Sequence, residues 1–163
     1  MAMLTEALTA IQDLAPVAAL RSSRWTYASV NATHIVGIAL LFGAIVPLDL
    51  RLIGWWRTIP IAVLARILVP VSIAGLILAI CAGLLLFSIR AVEYSGTTLF
   101  QFKITLIACA IANTVLLFRA AQWEAQQAAV NSLPPPRLRA AGALSIGLWL
   151  SVIVCGRMIA YLN

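Results

Sequence analysis

Four long apolar stretches dominate this chain, and short polar segments separate them. They cover approximately residues 30–48, 61–88, 98–118 and 140–162. A helix needs about 20 predominantly apolar residues to cross the hydrocarbon core of a bilayer, and each stretch comes close to that length or exceeds it. The sequence therefore predicts an all-α integral membrane protein, built as an antiparallel four-helix bundle.

The composition excludes several other classes. Of the 163 residues, 63% are hydrophobic and only 10% are charged, too few to cover a soluble domain of this size. The net charge of +6 does not predict nucleic acid as a partner, because the basic residues lie scattered at the ends of apolar stretches. Cys81, Cys109 and Cys155 lie inside apolar stretches and predict neither a disulfide framework nor a metal site.

The N-terminal segment has a different pattern. Over residues 4–15, one side of a helix would carry Leu4, Leu8, Ile11 and Leu14. This pattern predicts an amphipathic helix, on the membrane surface or against the bundle, that Pro16 closes. An interfacial collar of polar and aromatic side chains follows, namely Arg21, Arg24, Trp25 and Tyr27. We therefore divide the chain into residues 1–28, the interfacial helix and collar, and residues 29–163, the four-helix transmembrane domain.

The ends of the crossings have candidate signals. Pro47 and the run 49–51 are expected to end the first crossing. The third is expected to continue as a polar helix through Gln126, until the prolines 134–136 stop it. Small residues spaced four apart predict the faces on which helices pack, in three sets: Gly75, Ala79 and Gly83; Ala108 and Ala112; Ala143 and Gly147.

The basic residues predict the orientation. The first and third loops with their flanks carry six arginines, whereas the opposite side carries three outside the helices. Because cytoplasmic loops are enriched in Lys and Arg, both termini are predicted to be periplasmic in a multi-pass protein of the bacterial inner membrane. The two sets are Arg51, Arg57, Arg66, Arg119, Arg137 and Arg139, and Arg21, Arg24 and Arg90.

A layer of polar side chains is predicted at the outer ends of the helices. His34, Lys103 and Arg157 fall at similar depths on three crossings, and Arg90 lies in the outer loop just above them. Such a layer could bind an anionic or redox-active group, such as haem propionates, a quinone oxygen or a lipid phosphate. Alternatively, Lys103 and Arg157 extend to the lipid headgroups without binding anything.

His34 is the only histidine of the chain. Its imidazole could ligate haem iron, bind a quinone, relay a proton or bond to a neighbouring helix. A bis-histidine haem needs two imidazoles, so a b-type haem here would need another second ligand, for which Met158 is the nearest by depth, or a homodimer.

A second polar layer is predicted near the inner ends of the helices. Asp49 has Arg51 close by in sequence and Arg66 or Arg119 within reach across the bundle. These residues predict a structural ion pair that sets the register of the helices.

The sequence contains no phosphate-binding loop, nucleophile elbow or zinc-protease motif, so an enzyme is not the favoured class. The first hypothesis is a non-catalytic membrane subunit or anchor of a periplasmic-facing or membrane redox assembly, partnered by another protein or by a second copy. The second is an electron-transfer protein that binds haem b or a quinone through His34. The third is a small-solute or metal transporter. An inverted repeat would favour this hypothesis, but the sequence shows none.

Several stretches resemble a family of small bacterial four-helix membrane proteins of unknown function. The most specific are Asp49-Leu50-Arg51-Leu52-Ile53-Gly54 and Gly156-Arg157-Met158-Ile159-Ala160-Tyr161, and the resemblance covers nearly the whole chain. The family is distantly similar in architecture to CopD-type copper-resistance membrane proteins and to small b-type cytochromes. In that family a second histidine often follows the phenylalanine that ends the third crossing, whereas here Arg119 follows Phe118.

Overall fold

The computed structural model describes residues 2–127, 129 and 131–162, and this part of the chain is helical without strands. The prediction of an all-α fold is therefore confirmed. The helices are α1 Ala2–Gln12, α2 Ala15–Ser22, α3 Arg24–Ile53, α4 Ile61–Ile89, α5 Ala91–Gly96, α6 Thr98–Phe118, α7 Ala121–Gln127 and α8 Pro136–Leu162.

Four of these helices contain segments long and apolar enough to cross a membrane: Arg24–Ile53, Ile61–Ile89, Thr98–Phe118 and Pro136–Ile159. Helix α3 packs against α4 and α8, and α8 packs against α6. Helices α4 and α6 share no extensive contact. The space between them is therefore bordered by α3 and α8, and the candidate site described below lies there.

Helix α3 is longer than predicted at its C-terminal end. It continues through Pro47 and Asp49 to Ile53, so the prediction that these residues end it is wrong. A proline removes only one hydrogen bond of a helix, which a long packed helix tolerates. The actual end is Gly54, whose φ of 120° suits glycine and whose N–H donates to the Leu50 carbonyl at 3.1 Å.

The N-terminal segment forms two helices rather than one. Pro16 lies in the first turn of α2, where a missing backbone N–H breaks no helical bond, so it does not close the segment. Val17 and Leu20 of α2 are buried against Ile89 at the end of α4. Of the predicted apolar face, Leu8 is buried whereas Ile11 and Leu14 are exposed, and the Leu4 side chain lies outside the described residues.

The predicted continuation of α6 is also wrong. Helix α6 ends at Phe118, and α7 starts at Ala121 as a separate helix. The change of direction buries Trp123, whose ring lies 5.0 Å from that of Phe118. Trp123 belongs to an inner apolar cluster with Leu48, Leu52, Ile61, Leu117 and Leu138.

One small-residue seam forms the closest helix contact. A Cβ atom added to Gly75 would lie 2.5 Å from the Leu41 backbone nitrogen, and one added to Gly37 would lie 2.5 Å from that of Ala79. The prediction of a packing face on α4 is confirmed at this crossing. The other two sets face outward: Ala108, Ala112, Ala143 and Gly147 are exposed.

Candidate functional site

A cavity of about 580 Å³ lies among the outer ends of the helices. Its polar lining residues are Arg21, Tyr27, Asn31, His34, Arg90, Tyr94 and Lys103. A second cavity of about 300 Å³ shares His34, Gly83, Phe87, Phe100 and Lys103 with the first and extends along apolar side chains to Trp149. His34 and Lys103 therefore lie where a polar compartment meets an apolar one.

The His34 ring is held in one orientation. Its Nδ1 lies 2.8 Å from the Ala79 carbonyl of α4. A carbonyl oxygen only accepts, so Nδ1 carries the hydrogen and the neutral ring presents Nε2 as an acceptor. Gly83 provides the room for the ring, since a Cβ atom there would lie 3.0 Å from Cε1 of His34. Within the described residues Nε2 has no hydrogen-bond partner.

Lys103 approaches the same place from α6. Its ammonium group lies beside α8, where a Cβ atom added to Gly156 would be 3.4 Å from Nζ. Among residues 2–127, 129 and 131–162, no acceptor or carboxylate partner of Nζ is found. A half-buried ammonium without a partner is unfavourable unless an oxygen atom from elsewhere neutralises it.

Aromatic rings form one wall of the cavity. Phe87 and Phe100 stack with centroids 5.1 Å apart and an interplanar angle of 12°. Tyr94 lies 6.0 Å from Phe100 in a similar orientation. Burial raises the pKa of the Tyr94 phenol, so the phenol stays neutral and offers an O–H donor at the cavity mouth.

The mouth of the cavity carries two arginines. Arg90 lines it and forms an exposed ion pair with Glu93, Nη1 to Oε1 3.4 Å. Arg21 also lines it, because α2 folds back over the end of α4. The sequence predicts Arg21 only as part of the interfacial collar. Its position in the last turn of α2 does not show that this helix lies over the end of α4.

The prediction that Arg157 joins this site is wrong. Arg157 is exposed, donates from Nη2 to the Tyr161 hydroxyl at 3.1 Å, and lies over the Tyr161 ring at 4.7 Å. Gly156 lines the cavity instead. Successive residues of an α-helix are rotated by about 100° about its axis, so Arg157 points away from the cavity. Met158 is 46% exposed and lines neither cavity, so it is not placed as a second haem ligand.

The inner ion pair is also not formed. Within the described residues the recorded ion pair is Arg90–Glu93, and Asp49 has no cationic partner. Arg51 donates instead to the carbonyls of Ile59 (2.7 Å) and Arg57 (3.3 Å). Residues two apart on a helix do not share a face, which separates Arg51 from Asp49. The other two candidates, Arg66 and Arg119, are exposed.

Comparison of the chain with models of protein families, with curated proteins and with solved structures finds no match. The resemblance to the four-helix family of unknown function therefore stays a prediction. In the described part of the chain, no group of three or more His, Cys, Asp or Glu side chains is placed to hold a metal ion.

Proposed function

We propose that the chain is an integral protein of the bacterial inner membrane, crossing the bilayer four times as an antiparallel bundle. The outward-facing side chains of the long helices support this, because large apolar groups such as Ile67, Leu84 and Leu116 are 62%, 62% and 64% exposed. Apolar surface of that extent is stable in lipid and unfavourable in water. The excess of arginines at the inner end supports periplasmic termini.

This topology predicts the accessibility of two single cysteines. In a variant without the native cysteines, Ser22→Cys is expected to react with a membrane-impermeant maleimide added to intact spheroplasts. Arg57→Cys is expected to react only after the membrane is opened, because it lies in the loop at the opposite end of α3. Labelling of both positions, or of Arg57→Cys alone, in intact spheroplasts would contradict the proposed orientation.

We further propose that the outer cavity binds an amphipathic molecule with a quinol-type head group. The observation that carries this proposal is the pair of unpartnered groups at the polar–apolar boundary, Nζ of Lys103 and Nε2 of His34. Lys103 offers donors to an oxygen atom that carries negative charge, whereas neutral His34 accepts a proton from a hydroxyl. A ring with one hydroxyl donor and a second, electron-rich oxygen matches both groups at once.

The surroundings suit the rest of such a molecule. The stacked rings of Phe87 and Phe100 provide a flat wall for an aromatic head group. The apolar cavity is bordered by the exposed residues Ile80, Leu84 and Ile104 on α4 and α6. Because these two helices are not packed together, an apolar tail has a way out between them into the lipid.

We place this binding role in a membrane redox assembly. Oxidation of a bound quinol to a quinone gives two electrons to a second protein and releases two protons. His34 would accept the first proton, from the hydroxyl bonded to Nε2, and the second would pass to the water outside the open cavity mouth. The chain would then act as a non-catalytic subunit that holds the carrier for its partner.

A b-type haem is the second candidate ligand, favoured by the His34 hydrogen bond. Histidines that ligate metals usually donate their other N–H to a carbonyl or carboxylate, as Nδ1 does to Ala79. Arg21, Arg90 and Lys103 would then face the propionates.

Ligand titration of the purified protein in nanodiscs tests both candidates. A short-chain quinol is expected to quench tryptophan fluorescence saturably, because Trp149 lies at the end of the apolar cavity. Lys103→Met is expected to weaken binding by about tenfold or more, which corresponds to the loss of one hydrogen bond of roughly 1.5–3 kcal/mol from a charged group. His34→Phe is expected to weaken binding by about fivefold, which corresponds to the loss of a neutral hydrogen bond of roughly 1 kcal/mol.

Arg157→Met is the matched control, since it removes a cation at the same depth that lines neither cavity, and its affinity should equal that of the wild type. A Soret band on adding haem, lost in His34→Phe, would assign the site to haem instead. Absence of saturable quinol binding, or equal weakening by Arg157→Met, would contradict the proposed site.

A further inference from the structure

A third cavity lies at the inner half of the bundle, next to the apolar cavity, with which it shares Leu41, Leu76 and Trp149. Its volume is about 110 Å³, and all four long helices contribute to its lining. Its polar lining residues are Asp49, Ser72, Asn113, Thr114, Ser145 and Trp149. Six polar side chains around one small cavity between apolar helices need an explanation.

The Asp49 carboxyl group is the central feature of this cavity. Asp49 is 4% exposed, and its Oδ2 has no hydrogen-bond partner among the described residues. Ser145, also 4% exposed, lies beside the carboxyl group. No cation lies against it within the described part of the chain. An ionised carboxylate buried in this way is highly unfavourable unless a positive charge accompanies it.

Two hydroxyl groups beside the carboxyl group have already used their hydrogens. The Ser72 hydroxyl donates to the Val69 carbonyl at 2.8 Å, and the Thr114 hydroxyl donates to the Ala110 carbonyl at 3.0 Å. The Asn113 amide donates one of its two Nδ2 hydrogens to the Ala141 carbonyl at 3.0 Å, and its Oδ1 stays available as an acceptor. The two hydroxyl oxygens and the Asn113 Oδ1 therefore offer lone pairs, and oxygen atoms are the ligands that hard cations prefer.

The backbone brings these oxygens together. Helix α3 approaches α8 closely at Gly142, where an added Cβ atom would lie 3.0 Å from the Asp49 carbonyl oxygen. Ser145 is one turn further along α8, and Asn113 is tied from α6 to Ala141, the residue before Gly142. Helices α3 and α6 thus both contact one turn of α8 beside the cavity.

From these observations we infer that the cavity beside Asp49 is a binding site for one monovalent metal cation, such as Na⁺. The charge selects the class: one carboxylate balances a single positive charge, and a divalent ion would leave a net positive charge buried. The cavity has room for the ion and for water as a further ligand. A water there could also accept from Nε1 of Trp149, a buried N–H without a partner among the described residues.

Thermal unfolding of the intact protein in nanodiscs tests this inference at constant ionic strength. In saturating NaCl, the wild type is expected to unfold at a temperature about 5 °C higher than in choline chloride. This is the shift expected when the Na⁺ concentration is some tens of times the dissociation constant of the site. Equilibrium dialysis with radioactive sodium is expected to give one ion per chain. Asp49→Asn is expected to lose both the shift and the bound ion.

Two further variants keep the test decisive if Asp49→Asn folds poorly. Ser145→Ala is expected to raise the NaCl concentration for half-maximal stabilisation by about tenfold, because it removes a group that orients the carboxylate. Glu93→Gln, which neutralises an exposed carboxylate outside the cavity, should keep the wild-type response. The inference is overturned if the melting temperature is the same in both salts, if it follows pH without following Na⁺, or if Asp49→Asn retains the sodium response.

Discussion

Replacing Gly75 by leucine is expected to destabilise the protein by about 3 kcal/mol or more, the upper part of the range for overpacked sites. An added Cβ atom would lie 2.5 Å from the Leu41 nitrogen and 2.8 Å from the Gly37 carbonyl oxygen. Both are backbone atoms, so no side-chain rotation relieves the collision, and α3 must move away from α4. The free energy of unfolding in mixed micelles, measured by titration with a denaturing detergent, gives the effect.

Gly147→Leu is the matched control for this experiment. Gly147 is also a helical glycine, but nothing lies within 4 Å of an added Cβ atom. The same exchange there should gain about 1 kcal/mol or less from higher helix propensity. The difference between the two variants isolates the cost of separating α3 from α4, and equal free energies of unfolding would show that the two backbones do not touch.

The positions of the long helices follow from the sequence because each depends only on neighbouring residues. A run of about 20 apolar residues specifies a helix of that length wherever its partners lie. Helix ends were predicted less well, since Pro47 and Asp49 were read as stops although α3 continues to Gly54. Whether a helix continues through a proline depends on the other helices that pack against it. The residues next to the proline carry no information about that packing.

In the candidate site, too, the sequence predicts the depth of a residue but not the direction of its side chain. Depth along a helix is countable from the sequence, and the structure places His34 and Lys103 at one cavity as that count predicts. Rotation about the helix axis is different, because a single residue changes direction by about 100°. Gly156 therefore faces the cavity while Arg157 faces outward, and only the packing of α8 against α6 decides which of them does so.

The spacing of small residues also predicts only part of the helix packing. Glycine and alanine four apart occur on α4, α6 and α8, and only the α4 set lies at a close helix contact. The spacing defines a face that permits close approach. Whether another helix occupies that face depends on the connections between the helices, which is why Gly75 is buried and Gly147 is exposed.

Replacing Arg51 by alanine is expected to destabilise the protein by about 4 kcal/mol, within the range for large-to-small changes in a core. The Arg51 side chain is fully buried, with 0% exposure, and it joins the end of α3 to the loop before α4. Its loss leaves a cavity and removes donors from the Ile59 and Arg57 carbonyls. Removing the buried charge itself offsets part of this cost, since Nη1 has no partner among the described residues.

Arg57→Ala in the same loop is the control, expected to cost less than about 1 kcal/mol because Arg57 is exposed. The double variant of Asp49→Asn with Arg51→Ala then tests whether these two residues form a pair. The structure directs them to different faces of α3, so their effects should add to within about 0.5 kcal/mol. A coupling of about 1 kcal/mol or more between them would restore the ion pair and leave the carboxylate of Asp49 already neutralised by Arg51.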